Sequence, residues 1–351
     1  MKRIFYGLSG EGLGHASRTL AVIDHLPDVD VHVFTYGKAH SYFQKLGYPE
    51  DKLHLIDGLM FSYSGGKVDY FKTGCNTIKF YFDGLQENVN KITKLADCLK
   101  PDLFISDFEP SISRASKKCR TPLISVDNQH RFAYVDMIDL PTFLRVYGWT
   151  CGLAAKILVP NPKHTVISTF HCDLIAAKKK NVSLTNGLLR REVVERPVAD
   201  NGHILVYLRD SVSDDILRAM MSVTQEVRVY GASDTPIKEF IERKPNFKFI
   251  QLGPSFVEDL ASCNALIATA GNQLITEARY YGKRCLVVPE PGQYEQSINA
   301  FYVERIGMGK QIAAKKIRPN DVEEFVKNFQ NTSTALPNGV HTVVEVIRKY
   351  V

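Results

Sequence analysis

Thr269-Ala-Gly271-Asn272-Gln-Leu-Ile-Thr-Glu277-Ala, Val287-Val-Pro289-Glu-Pro-Gly-Gln-Tyr-Glu295-Gln296-Ser-Ile-Asn299-Ala and Gly307-Met-Gly309 follow one another in the last third of the chain. They read as strand end, tight glycine turn, helix, strand, loop and second helix. The pattern predicts two helix N-termini on one side of a sheet. The first amides of a helix lack intrahelical partners and its dipole is positive there, so such ends hold anions. Glu277 lies six residues past Gly271, over one turn into the helix, within reach of ribose hydroxyls. Glu295 and Gln296 offer a carboxylate and an amide to further hydroxyls. Phosphate and hydroxyl recognition together are what a sugar nucleotide requires.

The front of the chain has a counterpart. Arg3-Ile-Phe-Tyr-Gly7 reads as a strand, Gly7-Leu-Ser-Gly10-Glu-Gly12-Leu-Gly14-His15-Ala-Ser-Arg18 as a glycine-rich loop, and Thr19–Leu26 as the continuing helix. Glycine lets another molecule approach the backbone closely. The spacing Gly10-x-Gly12-x-Gly14 is not G-x-G-x-x-G, and the second strand, Val31–Thr35, ends without an acid for an adenosine ribose. An NAD site is therefore disfavoured.

Outward from these loops, short apolar runs alternate with helical segments in two blocks. Strands are predicted at 3–7, 31–35, 53–56, 103–106, 123–126, 157–159 and 166–170, then at 203–208, 227–230, 247–250, 265–268 and 284–288. Helices are predicted at 14–26, 39–46, 82–99 and 111–119, then at 213–223, 236–242, 256–262, 272–281 and 294–305. Alternation of this kind means parallel sheets covered on both faces, with ligands at the carboxyl ends of the strands. The expected fold class is α/β, with two Rossmann-like doubly wound domains facing across a cleft. Residues 1–186 form the first domain and 187–202, polar with Pro and Gly, the linker. Residues 203–330 form the second domain, and 331–351 a helix that returns to the first. Two aromatic-rich stretches, 59–82 and Phe132–Trp149, depart from the pattern. They suit a core, a sugar ring or a membrane interface.

Composition narrows the class. With 351 residues, 44% hydrophobic and 23% charged, the chain has room for two ordinary cores. A net charge of +6 without a basic stripe argues against nucleic acid. It leaves weak attraction to acidic membranes or phosphate-bearing acceptors open. Seven scattered cysteines with no C-x-x-C read as reduced thiols of a cytoplasmic protein. No signal peptide and no run of about 18 apolar residues is evident, so no membrane span is expected.

Together these residues resemble the GT-B glycosyltransferases, in particular the branch related to the peptidoglycan GlcNAc transferase. The likeness runs through Gly10–Arg18, Asp102-Leu-Phe-Ile-Ser-Asp107-Phe-Glu109-Pro, Ile124-Ser-Val-Asp127-Asn128-Gln129-His130, the linker Asn186–Arg190 and the motif 269–309. It implies transfer of a sugar, UDP-linked, to a hydroxyl acceptor, with inversion and without a metal, in envelope, glycolipid or polysaccharide synthesis. The acceptor would be free or lipid-linked, with peripheral contact at the inner face of a membrane.

The resemblance also assigns roles. His15 would be the base or lie near the donor phosphates. Asp107 would orient His15, serve as base itself, or cap the helix before Pro110. Glu109 is a further base candidate. Gly12, Gly14, Asp127, Asn128 and His130 would line the acceptor side. Arg190 would meet the diphosphate, and Pro254, Ser255 and Phe256 would face the base. Gly271 and Asn272 would present amides to the phosphates, Glu277 would take the ribose, and Glu295 and Gln296 the sugar. Leu208-Arg209-Asp-Ser211 lacks the family's glycine-rich phosphate loop, with Arg209 and Ser211 as substitutes. The nucleotide sugar is a substrate, so no cofactor is expected. The D-x-D at Asp28-Val-Asp30 leads into the second strand, away from the ligand edge. A sugar-nucleotide epimerase or hydrolase on the same fold, and a non-catalytic nucleotide-sugar binder, are the alternatives.

Overall fold

The computed structural model describes residues 1–59, 63–64, 67–68, 72, 76–77, 79–208, 213–231, 239 and 243–351. Two compact units emerge, each built on its own parallel sheet. One holds Met1–Ser62, Val68–Arg190 and Asn338–Val351; the other holds Tyr63–Lys67 and Arg191–Pro337.

The sheet of the first unit contains β1 (Lys2–Leu8), β2 (Val29–Thr35), β3 (Leu53–Leu55), β4 (Leu103–Asp107), β5 (Leu123–Asp127), β6 (His164–Ser168) and β7 (Val182–Thr185). Its order is β3-β2-β1-β4-β5-β6-β7, parallel throughout. Between β1 and β4 the order reverses direction. The alternation of β1 shows why both faces are covered. Ile4, Tyr6 and Leu8 enter a core completed by Val340, Val343 and Ile347 of the C-terminal helix, Val340–Arg348. Phe5 turns to the opposite core, with Phe34, Phe104 and Ile112. Both faces carry apolar side chains because helices lie on both.

The second unit repeats the arrangement with β8 (Ile204–Tyr207), β9 (Val227–Tyr230), β10 (Phe247–Ile250), β11 (Ala265–Ala268), β12 (Arg284–Val287) and β13 (Gly309–Gln311). The order is β10-β9-β8-β11-β12-β13, again parallel, with its reversal between β8 and β11. Ile204, Val206, Val227, Val229, Ile267 and Leu286 supply its core.

Residues 157–159 do not form the expected strand. They end a helix, Thr142–Leu158. Ile157-Leu-Val159 has strand-like composition, but the helix is fixed by close packing along Gly148, Gly152 and Ala155, which are buried. Tertiary packing overrides local preference here. The strand expected at 166–170 begins two residues earlier, and β7 and β13 went unforeseen. The helix expected at 236–242, apart from Glu239, and half of the stretch 59–82 fall outside the described residues.

A Cβ at Gly152 would lie 2.3 Å from the Phe132 carbonyl oxygen, a backbone atom that cannot swing aside. Gly152→Ala gains up to about 1 kcal/mol of helix propensity. Overpacking should nonetheless win, with a net loss of about 1–2 kcal/mol. Urea unfolding of the variant checks the sign.

Candidate functional site

In the first unit the site is built where the strand order reverses, the place where open α/β sheets receive ligands. β1 ends at Leu8, and the chain turns through Ser9–Gly12 into a helix, Leu13–Ile23. The loop glycines divide by task. A Cβ on Gly7 would meet Ile112 Cβ at 2.8 Å, and one on Gly10 would overlap the Tyr36 carbonyl at 2.0 Å. Gly7, within β1, makes room for Ile112, and Gly10 lets the loop lie against the backbone at Tyr36. Gly12 has nothing within 4 Å of the corresponding point, and it stands at the N-cap without a capping side chain. The helix therefore presents an open, positive N-terminus beside the strand ends. Gly14 sits in its first turn.

His15 follows in that turn, with its Nδ1 2.9 Å from Oδ1 of Asp107 at the end of β4. The Asp107 carboxylate is fully buried and the His15 side chain is 15% exposed. Arg18, one turn on, clamps the same carboxylate. Its Nε donates to Oδ2 at 2.6 Å and its Nη2 to Oδ1. Nη2 also lies 2.7 Å from His15 Nδ1 and reaches Gln129 Oε1 at 3.4 Å. A buried carboxylate stays ionised only with such compensation. Arg18 stood at the end of the sequence motif without an assigned role. Its spacing of three from His15, which puts both on one helix face, was the available signal.

Glu109 is not placed as a base. It is fully buried and caps the helix Pro110–Cys119, accepting from Ser111 N at 2.9 Å and Ile112 N at 2.6 Å. Burial raises its pKa against the pull of those two amides. The cap expected of Asp107 thus belongs to Glu109. The swap is made by Phe108, whose φ of 58° puts a bulky residue in the left-handed region. Bonds between Ser106 Oγ and both backbone polar groups of Glu109, at 3.0 and 2.8 Å, hold the turn.

Asp127 and His130 are engaged with each other rather than exposed to an acceptor. His130 donates its backbone amide to Oδ1 of Asp127 at 2.8 Å, and its Nδ1 lies 2.6 Å from Oδ2. Ser125 Oγ donates to Oδ2 at 2.6 Å. Both side chains and that of Asn128 are buried. The cluster terminates β5 beside Asp107's strand and stiffens that edge. The D-x-D faces the other end of β2. Asp30 pairs with Arg3 at 2.6 Å and Lys52 at 2.7 Å, and Asp28 with Arg348 at 2.5 Å. Arg190, at the end of this unit, donates to the Tyr42 hydroxyl at 3.0 Å.

In the second unit β11 runs out through Thr269-Ala-Gly271 into the helix Asn272–Tyr280, at the reversal point of that sheet. Gly271 is the N-cap, with nothing within 4 Å of a Cβ position. Its own amide is taken by Thr269 O at 2.9 Å, so anion contact falls to the helix that follows rather than to Gly271 itself. Asn299, absent from the expected site residues, donates to Ala270 O at 2.8 Å and ties the helix Tyr294–Arg305 to this turn. Glu277 is buried and accepts from Gln273 Nε2 at 3.1 Å. Glu295 lies in the first turn of Tyr294–Arg305, partly exposed. Gln296 is buried and its Oε1 accepts from Glu290 N at 2.8 Å, which holds the loop after β12.

Phe256 does not offer its ring to a base. It is buried edge-on against Tyr207 and Tyr230, at 5.4 and 5.1 Å between centroids. Pro254 and Ser255 are exposed at the start of Ser255–Ser262, and Ser255 Oγ lies 3.1 Å from the Tyr230 hydroxyl. Arg209 and Ser211 lie outside the described residues.

Burial works against the charge of Asp127, but His130 beside it and the bonds from His130 and Ser125 hold its carboxyl down at about 2. A carboxyl lowered on folding stabilises above its unfolded pKa and loses that contribution as pH falls through the folded one. Asp127→Asn should cost about 2–3 kcal/mol at neutral pH. The gap to the unsubstituted protein should narrow between about pH 4 and about pH 2. Urea midpoints across that range measure it.

Solved proteins that share this architecture include glycosyltransferases. An uncharacterized glycosyltransferase of Methanosarcina mazei is 23% identical over 331 residues, spanning 89% of this chain and 86% of its own length. MurG of Acinetobacter baumannii superposes with a TM-score of 0.62 at 14% identity, over 99% of this chain and 100% of that one. UGT71G1 of Medicago truncatula, solved with UDP-glucose, gives 0.60 at 13% identity over 100% and 94%. At these identities the two structures establish the GT-B fold. The model of glycosyl transferase family 1 matches residues 2–330, and the chain belongs to that family.

Proposed function

We propose that this glycosyltransferase moves a sugar from a nucleoside diphosphate to a hydroxyl acceptor, inverting the anomeric carbon, with His15 as base. The observation that carries the reading is the His15–Asp107 hydrogen bond beside an uncapped helix N-terminus. Both polar contacts of the ring use Nδ1. With a proton on Nδ1 donated to Asp107, Nε2 carries the lone pair. The acceptor oxygen then attacks the anomeric carbon and gives its proton to Nε2. The bond to the diphosphate breaks, and its electron pair leaves on the phosphate oxygen. One displacement inverts the centre and needs no covalent enzyme intermediate. Asp107 holds the tautomer and stabilises the imidazolium.

The second unit supplies the donor half in this reading. The N-terminus of Asn272–Tyr280 meets phosphate charge, and Glu277 takes ribose hydroxyls. Helix ends and Arg190 stabilise the leaving diphosphate in place of a metal. A UDP-linked sugar is the donor to test first, since UGT71G1 was solved with one.

A second reading rests on the 2.7 Å approach of Arg18 Nη2 to His15 Nδ1. If Nδ1 accepts from Arg18, Nε2 carries the proton and His15 donates to a phosphate instead. The two readings separate in kinetics. As base, His15→Ala should lower kcat by roughly 10²–10⁴ with donor affinity nearly unchanged. As phosphate donor, its loss should weaken donor binding along with rate. Unaltered turnover would remove both roles. Release of UDP and a 2-epimer from UDP-GlcNAc without acceptor would favour an epimerase or hydrolase.

Glu277→Ala should weaken nucleoside diphosphate binding by about 1.5–3 kcal/mol, measured by calorimetry across UDP, GDP, ADP and dTDP. Activity should survive EDTA; complete loss restored by Mg²⁺ or Mn²⁺ would contradict the assignment of diphosphate charge to helix ends and Arg190.

A further inference from the structure

The helix Thr142–Leu158 is built inside out. Its buried face is made of small residues, Gly148, Gly152 and Ala155, with Leu158 at the end. Gly152 lets it lie against the backbone of the short helix Arg131–Tyr134, and Gly148 faces the Phe132 side chain. Its large apolar residues point the other way. Val146 is 59% exposed, Trp149 68%, Leu153 49% and Ile157 54%. Spaced three and four apart, they share one face over about 16 Å. An ordinary amphipathic surface helix buries such a stripe.

Along the helix itself the charge is of one sign. Residues 140–172 contain no Asp or Glu, while Arg145, Lys156 and Lys163 lie among them. The Lys156 ammonium stands 5.5 Å from the Tyr134 ring and that of Lys179 4.9 Å from the same ring. The run Lys178-Lys-Lys180 therefore borders the C-terminal half of the helix. The nearby carboxylate of Asp136 is paired with Lys178 at 2.6 Å.

We propose that this face docks on an anionic phospholipid bilayer, independently of the reaction the protein performs. The helix would lie in the interface plane. Val146, Trp149, Leu153 and Ile157 would enter the acyl boundary, Trp149 would sit at headgroup depth, and Arg145, Lys156 and Lys179 would meet lipid phosphates. Charge favours this occupant over a second copy of the chain. An isologous contact would set the same cations against each other.

The sequence contains one tryptophan, and it is Trp149, so intrinsic emission reads this face alone. The unsubstituted protein is mixed with vesicles of phosphatidylglycerol and phosphatidylcholine, or of phosphatidylcholine only. Co-sedimentation with the anionic vesicles, a blue shift, quenching by brominated acyl chains and weakening in salt are expected. The pair Leu153→Glu with Ile157→Glu should reduce partitioning by about ten-fold or more. Both positions are exposed, and circular dichroism checks their folding. The quenching result needs no variant. Protein that stays in the supernatant at all lipid concentrations overturns the proposal. So does sedimentation without change in Trp149 emission. A dimer abolished by Ile157→Glu, with no vesicle binding, would assign the face to a second copy and also overturn it.

Discussion

The site of the first unit depends on one buried carboxylate. Asp107 has no water to solvate it, and a lone charge there would be too costly to persist. Arg18 supplies a bidentate cation from the same helix that carries His15. The compensation that keeps the carboxylate ionised also fixes the helix that presents the histidine. Removing Arg18 would therefore disturb both the charge and the geometry, whereas removing His15 would leave the ion pair intact. The histidine is the more exposed partner of the His15–Asp107 pair.

The strained turn after β4 explains how two acids two residues apart come to do different work. A regular path from Asp107 to Pro110 would let either carboxylate cap the following helix. Phe108 in the left-handed region turns the chain so that Glu109 points back onto the amides of Ser111 and Ile112. Asp107 is released toward Arg18 and His15. Strain of this kind is tolerated where the surroundings over-determine it, and Ser106 does so by bonding both backbone groups of Glu109.

Much of this was legible in the sequence because strand–glycine–helix junctions have few physical solutions. The parallel sheets and the glycine turns at Gly12 and Gly271 follow from local patterns, while the pairing of His15 with the distant Asp107 was one of several roles the resemblance implied. What could not be read was the division of labour among polar residues. Glu109, His130, Gln296 and Phe256 have the right chemistry for a ligand, yet each is already engaged by a neighbour. Such satisfaction depends on partners brought close by the turn or by the sheet, which spacing does not reveal. The run 157–159 failed for the same reason in reverse. Its composition favours a strand, while the reason for the helix lies in a contact between Gly152 and Phe132.

Small residues play opposite parts in the two kinds of place. At Gly10 and Gly152 the missing side chain is filled by another segment's backbone, and the glycine is part of the fold. At Gly12 and Gly271 the space stays open beside a helix N-terminus, where backbone donors and a positive dipole lie together. An alanine would fit these last two positions without disturbing the fold. Folding alone therefore gives no reason for glycine there. A ligand that approaches the backbone within the space of a methyl group does give one, and an anion is the ligand that a helix N-terminus favours.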